Sequence, residues 1–185
     1  MDFWEIHDQY YRRVRAFIRG LVRDESLADD LVQETFIRIQ QNQDRLRDPS
    51  KMSSWIFRIA YNLCQDHFRK RKESSLDEKE IEEKTWDSKE VGIEKEMEQR
   101  QMGECVQDKI NLLPEPLRAV LILFDTMDLS HQDIAESLGI TVENVKVRLH
   151  RARTKLKAIL EEECTFEVDE RNVLVCEPSN RKKSC

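Results

Sequence analysis

The chain has 185 residues, of which 37% are charged and 39% apolar, and its formal net charge at pH 7 is −6. This length suits one domain or two small ones, and so high a charged fraction favours small helical units over one large core. No apolar run approaches the roughly 18 residues of a membrane-spanning helix, and five scattered cysteines argue against the disulfide framework of a secreted protein. We therefore expect a mainly helical, cytoplasmic protein.

Three helices are predicted in the first 72 residues. Apolar residues at three- and four-residue steps predict the first helix over about 2–23. Ser26 is a suitable N-cap for a second helix, and a loop containing Pro49 separates that helix from a third one over 54–72, which Ser54 caps. We expect Trp55 to be the aromatic residue of the third helix that packs into the core.

Charge is unevenly distributed along the chain. Residues 47–72 hold seven bases and two acids, residues 73–104 hold twelve acids and five bases, and residues 141–160 hold six bases and one acid. Such runs can be no more than solvated helix faces. Two basic segments on helices with apolar backs nevertheless favour a polyanionic partner, and the acidic segment between them is predicted to be a linker.

The second basic segment has the pattern of a helix-turn-helix. In "LSHQDIAESLGITVENVKVRLHRARTKL" a short helix ends at Gly139, which can adopt the positive φ of a tight turn, and Thr141 can cap the helix that follows. Val145, Leu149 and Ala152 form an inward stripe on that second helix, and its other face is basic. This arrangement favours a recognition helix for the DNA major groove, with a structural helical hairpin as the alternative.

Two blocks of the chain together resemble the extracytoplasmic-function (ECF) sigma factors of bacterial RNA polymerase. "DDLVQETFIRIQQN" with "SSWIFRIAYNLCQDHFRKRK" resembles their N-terminal domain, and "LLPEPLRAVLILFDTMDLSHQDIAESLGITVENVKVRLHRARTKL" resembles their C-terminal domain. The resemblance implies an all-α fold of two small helical domains, 1–72 and 105–160, joined by the acidic linker 73–104. The linker would then thread toward the active-site cleft of the polymerase.

The resemblance also implies which side chains read the −35 promoter element. Family members often carry a Gly-Thr pair where this chain has Glu143 and Asn144, and a serine where it has Val147, so the promoter sequence does not carry over. The residues expected to contact −35 DNA are Asn144, Lys146, Val147, Arg148, His150, Arg151 and Arg153.

The N-terminal domain is expected to open the −10 element, capture a flipped base and bind the clamp helices of core RNA polymerase, whose flap is a further partner. Capturing a base requires aromatic or polar groups that replace the lost stacking. The predicted −10 residues are Lys51, Met52, Phe57, Arg58, Tyr61, Asn62, Arg69, Lys70 and Arg71, together with Trp55 and Lys72. The predicted polymerase-binding residues are Asp30, Gln33, Glu34 and Arg38.

Residues 161–185 form a cysteine-containing tail in which two short apolar stretches predict a β-hairpin. The hairpin would bring Cys164 near Cys176, and with Cys185 these thiols could hold zinc or act as a redox-sensitive pair. The irregular spacing makes this a weak metal signal, and we expect no resident cofactor. Cys64, three residues before His67, is expected to be a core cysteine.

Three other classes of function compete with that of a sigma factor. The sequence contains no glycine-rich phosphate loop, nucleophile elbow or metalloprotease spacing, so an enzyme is not expected. The main alternative is a conventional helix-turn-helix regulator that binds duplex operators as a dimer. A polymerase-bound interaction protein without promoter specificity is a third possibility. Many relatives of the sigma type are also regulated by an anti-sigma factor, which is therefore a candidate partner.

Overall fold

The computed structural model describes residues 2–22, 24–46, 48–74, 106–168 and 174–178. A π-helical turn, Ile122–Thr126, follows the helix Glu115–Leu121, and residues 106–111 are also helical. The predicted all-α class with a hairpin tail is confirmed, whereas nearly all of the predicted linker lies outside the described residues. The elements are α1 (Phe3–Val22), α2 (Glu25–Asn42), α3 (Met52–Ser74), α4 (Glu115–Leu121), α5 (His131–Leu138), α6 (Val142–Glu163), β1 (Cys164–Val168) and β2 (Leu174–Pro178).

Helices α1, α2 and α3 pack on one another around an apolar core. Val14, Phe17 and Ile18 of α1 are completely inaccessible to solvent, as is Ile39 of α2. Burying such a side chain stabilises the fold by about 1.5–3 kcal/mol. The same three-helix core holds the inner face of α3 and so fixes which of its side chains can reach a partner.

Both serine N-caps predicted for this domain are wrong. The α2 helix is capped by Asp24 rather than Ser26, because the Asp24 carboxylate accepts a hydrogen bond from the backbone N–H of Leu27 at 2.9 Å. A 3-10 turn, Pro49–Lys51, leads directly into α3, so Ser54 lies inside the helix instead of capping it. The helix α2 begins one residue before Ser26, and α3 begins two residues before Ser54, which leaves the Ser54 hydroxyl available for other contacts.

The helix-turn-helix is confirmed in its local details. The Ser130 hydroxyl caps α5 by accepting from the backbone N–H of Asp133 at 3.1 Å. Gly139 ends that helix with φ of 66°, in the left-handed region that glycine tolerates best. The Thr141 hydroxyl then accepts from the backbone N–H of Asn144 at 3.2 Å and starts α6.

The two helical groups also share an interface that the sequence did not predict, because α1–α3 and residues 114–152 form one compact unit. α3 packs against α5, and α1 packs against α4 and the π-helical turn. The buried guanidinium of Arg118 donates to the backbone carbonyl of Leu21 at 2.9 Å. At Gly20, a Cβ atom would lie 2.6 Å from the Cδ1 of Ile122, so glycine permits this close approach.

A second unit contains residues 106–113, the C-terminal part of α6 and the hairpin. The two strands pair antiparallel, with Cys164 opposite Pro178 and Cys176 opposite Phe166. The two cysteines therefore occupy diagonal positions in the backbone register. Cys185 lies outside the described residues, and the zinc and redox roles stay predictions. Among the described helices, none is long and apolar enough to cross a membrane.

Candidate nucleic-acid interface

Helix α6 presents a polar, basic face opposite the stripe that anchors it. Val145, Leu149 and Ala152 are at most 4% exposed, as the three- and four-residue spacing predicts. Arg148 is partly buried. The other residues predicted for −35 contact are exposed, namely Asn144, Lys146, Val147, His150, Arg151 and Arg153.

One hydrogen bond orients the side chain of Asn144 on α6. Arg148 Nε donates to Asn144 Oδ1 at 3.0 Å, across one turn of α6. Asparagine reads adenine by accepting and donating at once, and Asn144 keeps its amide NH₂ and one lone pair of Oδ1 for such a contact. The same bond fixes the guanidinium group of Arg148 beside Asn144.

Val147 is an apolar residue within this basic face, and it is 47% exposed. Lys146, His150 and Arg151 are exposed on the same helix. In the major groove, an apolar side chain contacts the 5-methyl group of thymine, which distinguishes thymine from the other bases.

The structure corrects the aromatic assignment on α3. Phe57 is fully buried, with its ring edge-on to Phe17 at a centroid distance of 5.4 Å, and Tyr61 is only 9% exposed. Trp55, predicted to be the core aromatic, is instead partly exposed. The reason is geometric: the buried arc of α3 runs through Ile56, so Phe57 points at α1 and Trp55 falls at the edge of the arc.

Tyr61 is held in place by the C-terminal helical group. Burial, followed by the nearby Glu115 carboxylate, raises the pKa of the Tyr61 phenol. One turn further along α3, Gln65 Nε2 donates to Glu115 Oε1 at 2.8 Å. In this arrangement Phe57 and Tyr61 are buried and not accessible to a base, and their role in base capture stays a prediction.

The start of α3 is occupied by α5. Lys51, predicted to contact −10 DNA, forms an ion pair with Glu136, whose other carboxylate oxygen accepts from the Ser54 hydroxyl at 3.1 Å. Their mutual hydrogen bond raises the pKa of Lys51 and lowers that of Glu136. The Ser137 hydroxyl also donates to the backbone carbonyl of Ser54, at 3.2 Å.

Beside this ion pair lies a cleft of about 520 Å³ between α3 and the helix-turn-helix turn. Trp55 and Arg58 line one side, and Gly139 and Thr141 line the other.

The remaining predicted −10 residues lie outside the core. Arg69 forms an ion pair with Asp66 at 3.0 Å. Met52 is partly exposed, and the exposed members of the set are Arg58, Asn62, Arg69, Lys70, Arg71 and Lys72.

The outer face of α2 carries the predicted polymerase-binding residues. Asp30 and Gln33 are exposed, and Glu34 pairs with Arg38 at 2.8 Å across one helical turn. Ile37, which the sequence-based prediction omitted, is 47% exposed on the same helix. Its position one turn after Gln33 places it on the same helix face as the predicted residues, and this spacing could have identified it.

Cys64 is a core cysteine, as predicted. It is fully buried, and burial, together with the charge of Glu115, raises the pKa of its thiol to about 12. Within the described part of the chain, no group of three or more histidine, cysteine or acidic side chains is arranged to hold a metal ion.

Two family models match the chain, one in each half. Residues 6–74 match the Sigma-70 region 2 family, and residues 103–156 match the Sigma-70, region 4 family. The chain is 34% identical over 169 residues to the RNA polymerase sigma factor SigZ of Bacillus subtilis, covering 91% of this chain and 93% of that protein. It is 35% identical over 147 residues to the ECF RNA polymerase sigma factor EcfG of Rhodopseudomonas palustris, covering 80% and 78%.

Two solved structures are also similar to this chain. The sigma factor RpoE of Bartonella quintana, in complex with the anti-sigma factor NepR, is 26% identical with a TM-score of 0.73, covering 86% of this chain and 97% of that one. CnrH, in complex with the cytosolic domain of CnrY, is 25% identical with a TM-score of 0.63, covering 86% and 88%. The chain therefore belongs to the ECF sigma factors, which direct RNA polymerase to specific promoters.

Proposed function

We propose that this sigma factor reads the −35 element with the exposed face of α6, opens the −10 element with α3 and binds the polymerase clamp helices with the outer face of α2. The observation that carries the proposal is α6 itself. Its apolar stripe is almost fully buried, so the polar and basic face is fixed outward on a rigid helix. Such a helix fits the major groove, where cations neutralise phosphates and side chains reach base edges.

On α6 the side chains divide between two tasks. Lys146, His150 and Arg151 are placed to contact base edges, and Val147 to contact a thymine methyl group. Arg148 and Arg153 bind phosphates, which sets the register of the helix on DNA without reading sequence.

On α3, base capture is assigned to the residues that are not in the core. Trp55 and Arg58 line the cleft, Asn62 is exposed one turn further on, and Lys51 and Met52 precede them. An unstacked base needs an aromatic or guanidinium plane to replace its lost stacking, which Trp55 and Arg58 provide. The cations at the end of α3, Arg69 to Lys72, hold the phosphates.

The polymerase-binding face consists of Asp30, Gln33, the Glu34–Arg38 pair and the apolar Ile37 between them. The chain acts as an initiation factor, with no chemistry of its own, in the cytoplasm where polymerase and promoters are found. Because RpoE and CnrH are seen with protein partners, we also propose that an anti-sigma factor binds this chain.

Reconstituted transcription tests the proposal. Core polymerase with the purified chain should select promoters from a genomic DNA library and give run-off transcripts from them. Replacing both Lys146 and Arg151 by alanine should lower promoter affinity by about 2–4 kcal/mol, since each good base contact is worth about 1–3 kcal/mol. Lys157→Ala is the control, because it removes an exposed cation of α6 that lies about 9 Å beyond Arg151 along the helix. Selection of no promoter, or equal losses in both variants, would refute the proposed function.

A further inference from the structure

The cleft beside the Lys51–Glu136 ion pair has the size of a small-molecule site. Its volume is about 520 Å³, and ligand pockets commonly measure roughly 300–1,000 Å³. Trp55 and Arg58 of α3 line one side, and the turn that joins α5 to α6 lines the other. Both sides belong to the same compact unit, so the cleft can be described from its own lining residues.

Two chemically distinct groups in this cleft have no partner in the part of the chain that the structure describes. The ring of Trp55 contacts no other aromatic ring there, and the guanidinium group of Arg58 forms no hydrogen bond or ion pair. The two residues are three positions apart on α3 and therefore share one face of the helix. The other charges at the cleft neutralise each other, since Lys51 pairs with Glu136. An aromatic plane and one unpaired cation thus line the same space.

The remaining lining residues supply apolar contact and one amide. Leu46, Ile140 and Val142 line the cleft and are partly exposed, so they can pack against the edge of a bound ring. Gln132 Nε2 donates to Glu136 Oε1 at 3.2 Å, which leaves the amide oxygen of Gln132 able to accept from an N–H group of a ligand. The cleft therefore combines a stacking surface, an anion-binding group and a hydrogen-bond acceptor.

From this combination we infer that the cleft binds a free purine nucleoside monophosphate, with the base stacked on Trp55 and the phosphate held by Arg58. Guanidinium groups bind phosphate oxygens through two parallel hydrogen bonds, and bases stack well on aromatic rings. A single unpaired cation matches one phosphate group rather than a triphosphate chain. The site itself does not depend on the proposed function, because its ligand is a small molecule and not promoter DNA.

One consequence of the site does rest on the proposed function. Trp55 and Arg58 are also the residues assigned to capture of an unstacked promoter base. The same ring and the same guanidinium group cannot hold a free nucleotide and a captured base together. A bound nucleotide therefore competes with promoter opening.

Calorimetric titration of the full chain with AMP tests the site, with adenosine and inorganic phosphate as separate probes. AMP should bind about tenfold or more tightly than either probe, because only AMP makes both the stacking and the phosphate contact. Trp55→Ala and Arg58→Gln should each weaken AMP binding about tenfold. Arg58→Gln should leave the affinity for adenosine unchanged, and Trp55→Phe, which keeps a ring, should retain most of the affinity for AMP.

Helix α1 offers a matched control for each of these variants. Trp4 is 70% exposed and Arg12 is also exposed, and neither residue lines the cleft. Trp4→Ala and Arg12→Gln should therefore leave the affinity for AMP unchanged. Failure of the natural chain to bind AMP at millimolar concentration would overturn the inference. Equal affinities for AMP and adenosine, or losses in the controls as large as those in the cleft variants, would overturn it as well.

Permanganate footprinting of a promoter with the holoenzyme, in the absence of nucleoside triphosphates, tests the competition. AMP should lower the fraction of opened promoter in the natural holoenzyme, and it should have no effect on whatever opening the Arg58→Gln holoenzyme retains. Unchanged opening at AMP concentrations that saturate the chain would overturn the competition and leave the binding site standing. A holoenzyme that opens no promoter even without AMP would instead count against the proposed function.

Discussion

Helices α3 and α6 are both amphipathic and basic, but they lie in different surroundings. Both bury an apolar stripe and carry basic residues, and both are assigned to promoter DNA. The polar face of α6 is exposed, whereas α3 is covered at Lys51 by Glu136 and at Tyr61 by Glu115. A basic amphipathic helix is therefore not by itself an accessible one, since its accessibility depends on side chains far away in the sequence.

The largest expected effect comes from the inner face of α3. Phe57→Ala removes a fully buried ring that packs on Phe17 and should lower the free energy of unfolding by about 3–5 kcal/mol. Trp55→Ala, two positions earlier at the edge of the cleft, should cost less stability and instead impair promoter opening. Urea denaturation and permanganate footprinting of the melted −10 region measure the two effects.

These two predictions place Phe57 in the core and Trp55 at the edge of the cleft. If Trp55→Ala destabilised the chain as much as Phe57→Ala, the assignment of the two side chains would be reversed. Ile56→Val, which removes one buried methyl group from the same helix, sets the scale for an ordinary core defect of about 0.5–1.5 kcal/mol.

The next largest loss of stability is expected at Gly139, in the turn between α5 and α6. Gly139 has φ of 66°, and a Cβ atom there would meet nothing within 4 Å. Gly139→Ala should therefore cost about 1–2 kcal/mol of stability from backbone strain alone. Gly139→Asn should cost less, because asparagine tolerates this conformation better. Thermal or urea unfolding of both variants measures this, and equal costs would show that tolerance of the left-handed conformation does not decide which residue this position accepts.

Much of the fold could be predicted from the sequence because its signals are local. Helix periodicity located the apolar stripe of α6, and Gly139 and Thr141 marked its turn. The Trp55 prediction was wrong because neighbouring positions differ by about 100° around a helix. A small shift of the buried arc therefore exchanges core and edge. The pairing of Lys51 with Glu136 could not be predicted, since the two residues are 85 positions apart and no local pattern relates them.

A smaller effect should show whether Val147 of α6 contacts a base of the −35 element. If Val147 contacts a thymine methyl group, replacing that thymine by deoxyuridine should weaken binding by about 0.5–1 kcal/mol, the value of roughly one buried methyl group. Val147→Ala should cause a similar loss, and the two changes together should cost little more than either alone. Fluorescence anisotropy with each −35 thymine replaced in turn measures the coupling. Fully additive losses at every position would exclude the methyl contact.

The smallest effect is the pH dependence of the α3–α5 ion pair. The pKa of Glu136 lies below its ordinary value of 4.5, so its pairing stabilises the fold above that pH, and this contribution is lost as the pH falls through the lowered pKa. The pKa of Lys51 lies above 10.5, so its contribution is lost only in strong alkali. The effect is small because the two side chains are 41% and 33% exposed.

The measurement compares the free energy of unfolding of the natural chain and of Glu136→Gln between pH 7 and pH 3. The natural chain should be more stable at neutral pH, and the difference should shrink in acid as Glu136 becomes protonated. Added salt should also reduce the difference at pH 7, because screening weakens an exposed pair. Asp44→Asn, which neutralises an exposed acid in a 3-10 turn, is the control for loss of one negative charge. A difference that stays constant from pH 7 to pH 3 would mean that the Glu136 side chain contributes through its shape and its hydrogen bond to Ser54 rather than through its charge.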